Sequence, residues 1–194
     1  MMENQRRPPR KEMKTVLVLL TLGVISAVLI SLMAHYAYPR IEKNREEALR
    51  RALSVVLPGA VTFEKIDEKE EFYKGLTADQ EVVGYAFVGE GGGYQGTIRI
   101  MIGIRPDWQY LLGIKILENI ETPGLGAKIT SEEFQNQFRK LQVHPEISYV
   151  QNRPPEKPTQ IKAITGATIS SRAVVKILNK TISRMETKFK GENR

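Results

Sequence analysis

The chain has 194 residues, no cysteine, two histidines and a formal net charge of +7. The lack of cysteine excludes disulfides, cysteine-ligated iron–sulfur clusters and a thiol-linked cofactor in this chain, and two isolated histidines, His35 and His144, do not make a metal site. The positive charge does not indicate nucleic acid, because lysine and arginine are interleaved with glutamate and much of the excess falls in the first fourteen residues.

Residues 1–14, with Arg6, Arg7, Arg10, Lys11 and Lys14, read as a basic tail suited to anionic lipid headgroups. From residue 15 to about 33 the chain is uncharged. At 1.5 Å per residue such a run crosses a hydrocarbon core of about 30 Å, so residues 15–37 are predicted to form a transmembrane helix. A cleavable signal has an apolar core of only about 7–15 residues, and an anchor is expected instead. Arg40, Lys43, Arg45, Arg50 and Arg51 follow the span, so basic residues flank it on both sides and the positive-inside rule gives no orientation. Residues 38–60 form a connecting segment. In it Pro39 is expected to start a helix reaching about Val56, with Ile41, Ala48, Leu49, Ala52, Leu53 and Val56 on its apolar face and Pro58-Gly59 as its stop.

The roughly 150 residues beyond the span suffice for one domain with its own core, here residues 61–194. Strands are predicted over 81–88, 96–104 and 110–117. In the middle one Ile98, Ile100, Ile102 and Ile104 alternate with Thr97, Arg99, Met101 and Gly103, the period of a half-buried strand. Arg105-Pro106-Asp107 supplies a turn, and the glycine-rich run 89–96 reads as a flexible hairpin loop. Strands grouped first and helices interspersed later indicate an α+β fold: a mainly antiparallel twisted sheet with flanking helices.

Two loop motifs follow. Glu121-Thr122-Pro123-Gly124-Leu125-Gly126-Ala127-Lys128 joins a strand to a helix opened by Thr130-Ser131-Glu132-Glu133, a predicted capping box. Its proline and two glycines can bring backbone N–H groups close to a flat or anionic ligand, or can simply form a turn. Phe134, Phe138 and Leu141 mark the buried face of the helix after it, residues 153–158 an extended connector, and residues 161–164 a short strand. The second motif is Thr165-Gly166-Ala167-Thr168-Ile169-Ser170-Ser171, before a helix whose apolar positions Val174, Ile177, Leu178, Ile182 and Met185 recur at spacings of three and four. Ser170 or Ser171 is its expected N-cap. The unpaired N–H groups and partial positive charge of a helix start suit a phosphate beside Thr168, although a Gly-Ala turn before a capped helix needs no ligand.

The two motifs with one N-terminal membrane helix resemble the FMN-binding G protein of the Rnf electron-transport complex (the RnfG/NqrC family), over nearly the whole chain. A relative, the C protein of the sodium-translocating NADH:quinone reductase Nqr, shares both motifs but is usually longer. The resemblance implies FMN joined through a phosphoester bond to Thr168 by a separate magnesium-dependent flavin transferase that uses FAD. Thr165, Gly166, Ala167, Ile169, Ser170 and Ser171 are the implied surroundings, with Glu121, Thr122, Pro123, Gly124, Leu125, Gly126 and Lys128 as further candidate flavin contacts. Lys128 is the candidate for the negative charge of reduced FMN. Gly93-Tyr94-Gln95-Gly96 resembles a glycine-rich segment of the family. Two positions depart from the family pattern: Lys162 replaces an aspartate and Ile120 a histidine. The implied role is electron transfer in a ferredoxin:NAD oxidoreductase coupled to sodium or proton movement, with the membrane and iron–sulfur components of an Rnf complex as partners. No side chain is expected to be catalytic and no metal to be bound. The resemblance implies that the soluble domain lies on the outer face of the cytoplasmic membrane and that residues 1–14 form a cytoplasmic tail. An Nqr-type protein, another membrane-tethered flavoprotein and a non-flavin envelope adaptor are the alternatives.

Overall fold

The structure is a computed structural model that describes residues 10–67 and 69–190. Most of the predicted basic tail lies outside the described residues. The chain divides into two compact units, Met1–Glu47 and Ala48–Arg194.

The first unit is helical throughout its described part. Helix α1, Arg10–Val56, begins there, and the apolar side chains from Val16 to Met33 are all exposed along it. An 18-residue window reaches a mean hydropathy of 2.8, making it long and apolar enough to cross a membrane. A single such helix before a folded domain is consistent with a single-pass membrane protein. Pro39 lies inside α1 and does not start a second helix. Proline lacks an N–H and leaves the carbonyl four residues earlier without its helical partner, a defect that long helices accommodate.

The second unit is built on a five-stranded antiparallel meander, β1 (Thr62–Asp67), β2 (Phe72–Leu76), β3 (Val82–Gly92), β4 (Thr97–Ile104) and β5 (Leu111–Asn119), in sequential order. A 3-10 turn, Gly126–Thr130, leads to the short helix α2, Glu132–Asn136. Strands β6 (Ser148–Val150) and β7 (Gln160–Lys162) form a small parallel pair, and α3, Thr168–Lys190, closes the fold.

The alternation in β4 divides the domain into two cores. Ile98, Ile100, Ile102 and Ile104 are fully buried beside Phe87, Val174, Ile177 and Leu178 under α3. Met101 faces the opposite side, where Ala52, Leu53, Val56 and Leu57 pack with Tyr73, Ala86 and Val88. The last turn of α1 thus belongs to the domain. It sits so close to the sheet that a Cβ on Gly103 would land on the Val56 carbonyl.

Three expectations change. Residues 89–92 belong to β3 and only Gly93-Tyr94-Gln95-Gly96 turns, closed by Gly93 N–H donating to Gly96 O at 2.7 Å. These strand glycines leave room for α3: a Cβ on Gly91 would lie 2.7 Å from Ile177, and one on Gly89 2.7 Å from Thr181 Oγ1. The capping box is half formed. Ser131 is the N-cap, and its Oγ accepts from Phe134 N–H at 3.3 Å, so the third helical position holds Phe134, which has no carboxylate to return the bond. Phe134, Phe138 and Leu141 are buried as predicted, but not on one helix face: α2 ends at Asn136, and Phe138 and Leu141 lie beyond it. Finally, α3 starts at Thr168, so Ser170 and Ser171 lie in its first turn and are not caps.

Candidate functional site

The two motifs meet at one end of the sheet, and Glu121 connects them. It follows β5 with a side chain only 5% exposed, and Asn119 Oδ1 accepts its N–H at 3.2 Å. Its Oε1 accepts the backbone N–H groups of Tyr94 at 2.7 Å and Gln95 at 3.1 Å, and its Oε2 accepts the Ser170 hydroxyl at 2.5 Å. One carboxylate therefore holds the β3–β4 turn, the Glu121 loop and the first turn of α3. The fit depends on two glycines, because a Cβ on Gly93 would land on Glu121 Oε1 and one on Gly126 on Oε2.

The hydroxyls of the second motif have different tasks. Ser170 is bound to Glu121. Ser171, fully buried, donates to Ala167 O at 3.0 Å and accepts Ile164 N–H at 3.1 Å. Thr165 and Thr168 make no side-chain hydrogen bond among the described residues, Thr165 exposed and Thr168 half-buried. Thr168 opens α3, and Ala167 before it has no side-chain acceptor to cap the helix. Among the described residues no side chain caps the first N–H groups of this 23-residue helix.

Two glycines keep the surroundings open. Gly124 and Gly166 both take positive φ, +78° and +80°, which residues with a Cβ rarely adopt. A Cβ on Gly124 would meet nothing within 4 Å, and one on Gly166 only Leu125, at 3.7 Å. Leu125 of the Glu121 loop is 52% exposed and Ile169 in the first turn of α3 45%, so both present apolar side chains to solvent. Pro123 is exposed and Thr122 half-buried. Within the Glu121 loop the N–H groups of Leu125 and Ala127 donate to Thr122 O, at 3.2 and 3.1 Å. Ile120 is exposed and lies against Gly96, where a Cβ would be 3.0 Å from the Ile120 Cβ.

Lys128 lies farther along, on the wall of a groove of about 830 Å³ that also includes Phe134, Arg153, Lys162, Ile164 and Thr165. Lys162 has its backbone N–H and carbonyl bound by the Gln137 amide, at 2.7 and 3.2 Å, so the edge of β7 is covered by a side chain. No group of three or more metal-ligating side chains occurs among the described residues.

Sequence reasoning places Glu121 and Ser170 near the ligand and misses that they bind each other. A signal is available. Ser171 shares the i, i+3, i+7 face of Val174 and Leu178, and Ser170 that of Ala173 and Ile177, all buried. A serine on such a face needs a partner.

A threonine without a side-chain partner at the head of α3, beside loops opened by Gly124 and Gly166, is chemically compatible with a phosphate-bearing group. Residues 93–183 match the FMN-binding domain. Across 85% of this chain and 91% of the relative, the sequence is 36% identical to the G subunit of the ion-translocating oxidoreductase complex of Methanosarcina acetivorans. It is 32% identical to the G subunit of the Na(+)-translocating ferredoxin:NAD(+) oxidoreductase complex of Acetobacterium woodii, across 86% and 87%. The crystal structure of Shewanella oneidensis NqrC has the same fold, with a TM-score of 0.55 and 15% identity over 66% of this chain and 72% of that one. The domain is thus an FMN-binding domain following a helix that can span a membrane. The chain belongs to the family formed by the G subunits of ion-translocating oxidoreductase complexes.

Proposed function

We propose that this protein carries FMN covalently on Thr168 and relays electrons within a membrane-bound, ion-translocating ferredoxin:NAD oxidoreductase, with its FMN-binding domain on the outer face of the membrane. The observation that carries the reading is the division of hydroxyls: Ser170 and Ser171 are committed to internal bonds, while Thr168 is free at an uncapped helix start. Thr165 is also free, but it precedes the helix and lacks the first-turn donors. Resemblance to the G subunits over most of both chains supports membership of such a complex, whose membrane and iron–sulfur components are the proposed partners.

Attachment forms a bond between Thr168 Oγ and the FMN phosphorus and breaks the pyrophosphate bond of FAD. AMP leaves and the hydroxyl proton is released. A separate magnesium-dependent flavin transferase performs this step. The bound group supplies reversible uptake of one or two electrons, and the protein supplies position and electrostatics. The first-turn N–H groups of α3 would hold the phosphate, Leu125 and Ile169 would shield one side of the ring from water, and Lys128 would offset negative charge gained on reduction. Beyond the cytoplasm no FMN pool replaces a lost cofactor, so a covalent tether keeps the relay loaded at any concentration.

The test uses protein purified from its own membranes, denatured and run on a gel. Flavin fluorescence that survives denaturation and disappears in Thr168→Val, while Thr165→Val retains it, is the expected result. A colourless native protein rules the reading out.

A further inference from the structure

Glu121 is a buried carboxylate that the relay itself does not use. Both of its oxygens are occupied, Oε1 by two N–H groups from the β3–β4 turn and Oε2 by Ser170. These partners lie 26 to 49 residues away in sequence, so the bonds join separate elements and do not merely complete a local turn. A carboxylate has about four lone-pair sites, and three are used here at low exposure, where hydrogen bonds are stiff.

The geometry of α3 converts this link into control of Thr168. Successive helical residues are about 100° apart around the axis, so residues i and i+2 point about 200° apart. Drawing Ser170 inward, where it is 2% exposed, turns Thr168 toward the open side. Ser171 makes only bonds to the segment 164–167, so Ser170 is the first-turn side chain that ties the helix to the Glu121 loop. Gly93 and Gly126 leave the space the carboxylate fills.

We propose that Glu121 is a positioning residue for flavin attachment: acting through Ser170, it fixes the first turn of α3 so that the Thr168 hydroxyl faces the incoming phosphate beside the loop Thr122-Pro123-Gly124-Leu125. The proposal rests on Thr168 as the attachment point. It assigns Glu121 a role that requires no contact with the flavin.

The full chain, made in a host without the transferase and purified in detergent, is incubated with purified flavin transferase, magnesium and FAD, and modification is followed by intact mass. Misplacing a reacting group by about 1 Å can cost on the order of 100-fold, so Ser170→Ala and Glu121→Ala should lower kcat for modification by about 10- to 100-fold with KM for the chain unchanged. Glu121→Gln keeps an oxygen for Tyr94 and Gln95 and an amide for Ser170, and should stay within about threefold of wild type. Ser170→Ala is the gentler cut, because it leaves the bonds to Tyr94 and Gln95 in place, and its melting transition should remain cooperative. Wild-type kcat in both alanine variants overturns the proposal. So does a rise in KM at constant kcat, which would make Glu121 part of the surface the transferase recognises, and so does a Glu121→Gln variant as slow as Glu121→Ala. A wild-type chain that takes no flavin, or takes it equally in Thr168→Val, overturns the Thr168 reading and the clasp with it. That outcome is separate from the others because wild type itself then fails.

Discussion

Both ends of α3 are tied to the rest of the domain by carboxylates, in opposite ways. At the start a single buried side chain, Glu121, holds Ser170 and two backbone N–H groups. Near the end Asp67 and Glu70 meet Lys188 at 3.0 and 3.4 Å, and Glu70 meets Arg184 at 2.9 Å, all on partly exposed side chains. Water and salt screen the second set, and each long side chain loses rotamer freedom in pairing, so exposed ion pairs contribute little. The first set cannot exchange its partners for water without opening the fold. A helix that must present one hydroxyl in a fixed direction needs the first kind of tie only where that hydroxyl sits.

The comparison breaks most easily at the buried end. Gly126→Ala places a methyl group on Glu121 Oε2 and 2.8 Å from Ser170 Oγ. Overpacking of this kind costs about 1–3 kcal/mol. Denaturant unfolding in detergent should show a loss of that size, with slower flavin attachment. Gly124→Ala provides the contrast: its Cβ meets open space, and the cost comes from the positive φ alone. If the two variants unfold at the same denaturant concentration, the space around Glu121 is not closed and the distinction between the two ends of α3 is lost.

The sequence shows this contrast unevenly. Strand β4 is legible because four isoleucines alternate with residues of the opposite face, and α3 because its apolar positions keep the helical period. Strands β1 and β2 escape prediction. In β1 no alternation survives, since its side chains are nearly all exposed, and a bulge between Lys65 and Asp67 shifts the register against β2. The glycines of β3 read as loop because the reason for them, Ile177 and Thr181 of α3, lies some ninety residues on. The site divides in the same way. Each loop is legible as a turn before a helix, whereas the Glu121–Ser170 bond that joins them is a tertiary fact between segments 49 residues apart.

At the other end of α3 aromatic packing outweighs charge. Phe189 stacks on Phe72 with ring centroids 4.1 Å apart and planes 18° apart, and Phe72 continues into Tyr85 and Phe87. An aromatic pair contributes about 0.5–1.5 kcal/mol beyond the area it buries, so Phe189→Ala should cost roughly 1–2 kcal/mol in the same unfolding measurement. The double variant Arg184→Ala, Lys188→Ala should cost clearly less. A larger loss in the double variant would mean that the exposed ion pairs do hold the helix, and that the two ends differ only in residue type.

The smallest effect is the pH dependence of that ion-pair end. The hydrogen bond from Lys188 holds the Asp67 carboxyl below its ordinary value of 3.8, helped by the N–H groups of Glu70 and Lys69. A carboxyl with a lowered folded pKa stabilises the fold fully above its unfolded value and loses that contribution as pH falls through the folded one. Asp67→Asn should therefore fall slightly behind wild type above the ordinary carboxylate range and draw level with it only as the pH falls below that range, with the difference shrinking in high salt. Thermal melts across this range at low and high ionic strength give the comparison. A difference that persists in strong salt would place Asp67 with Glu121, as a carboxylate held by geometry and not by charge.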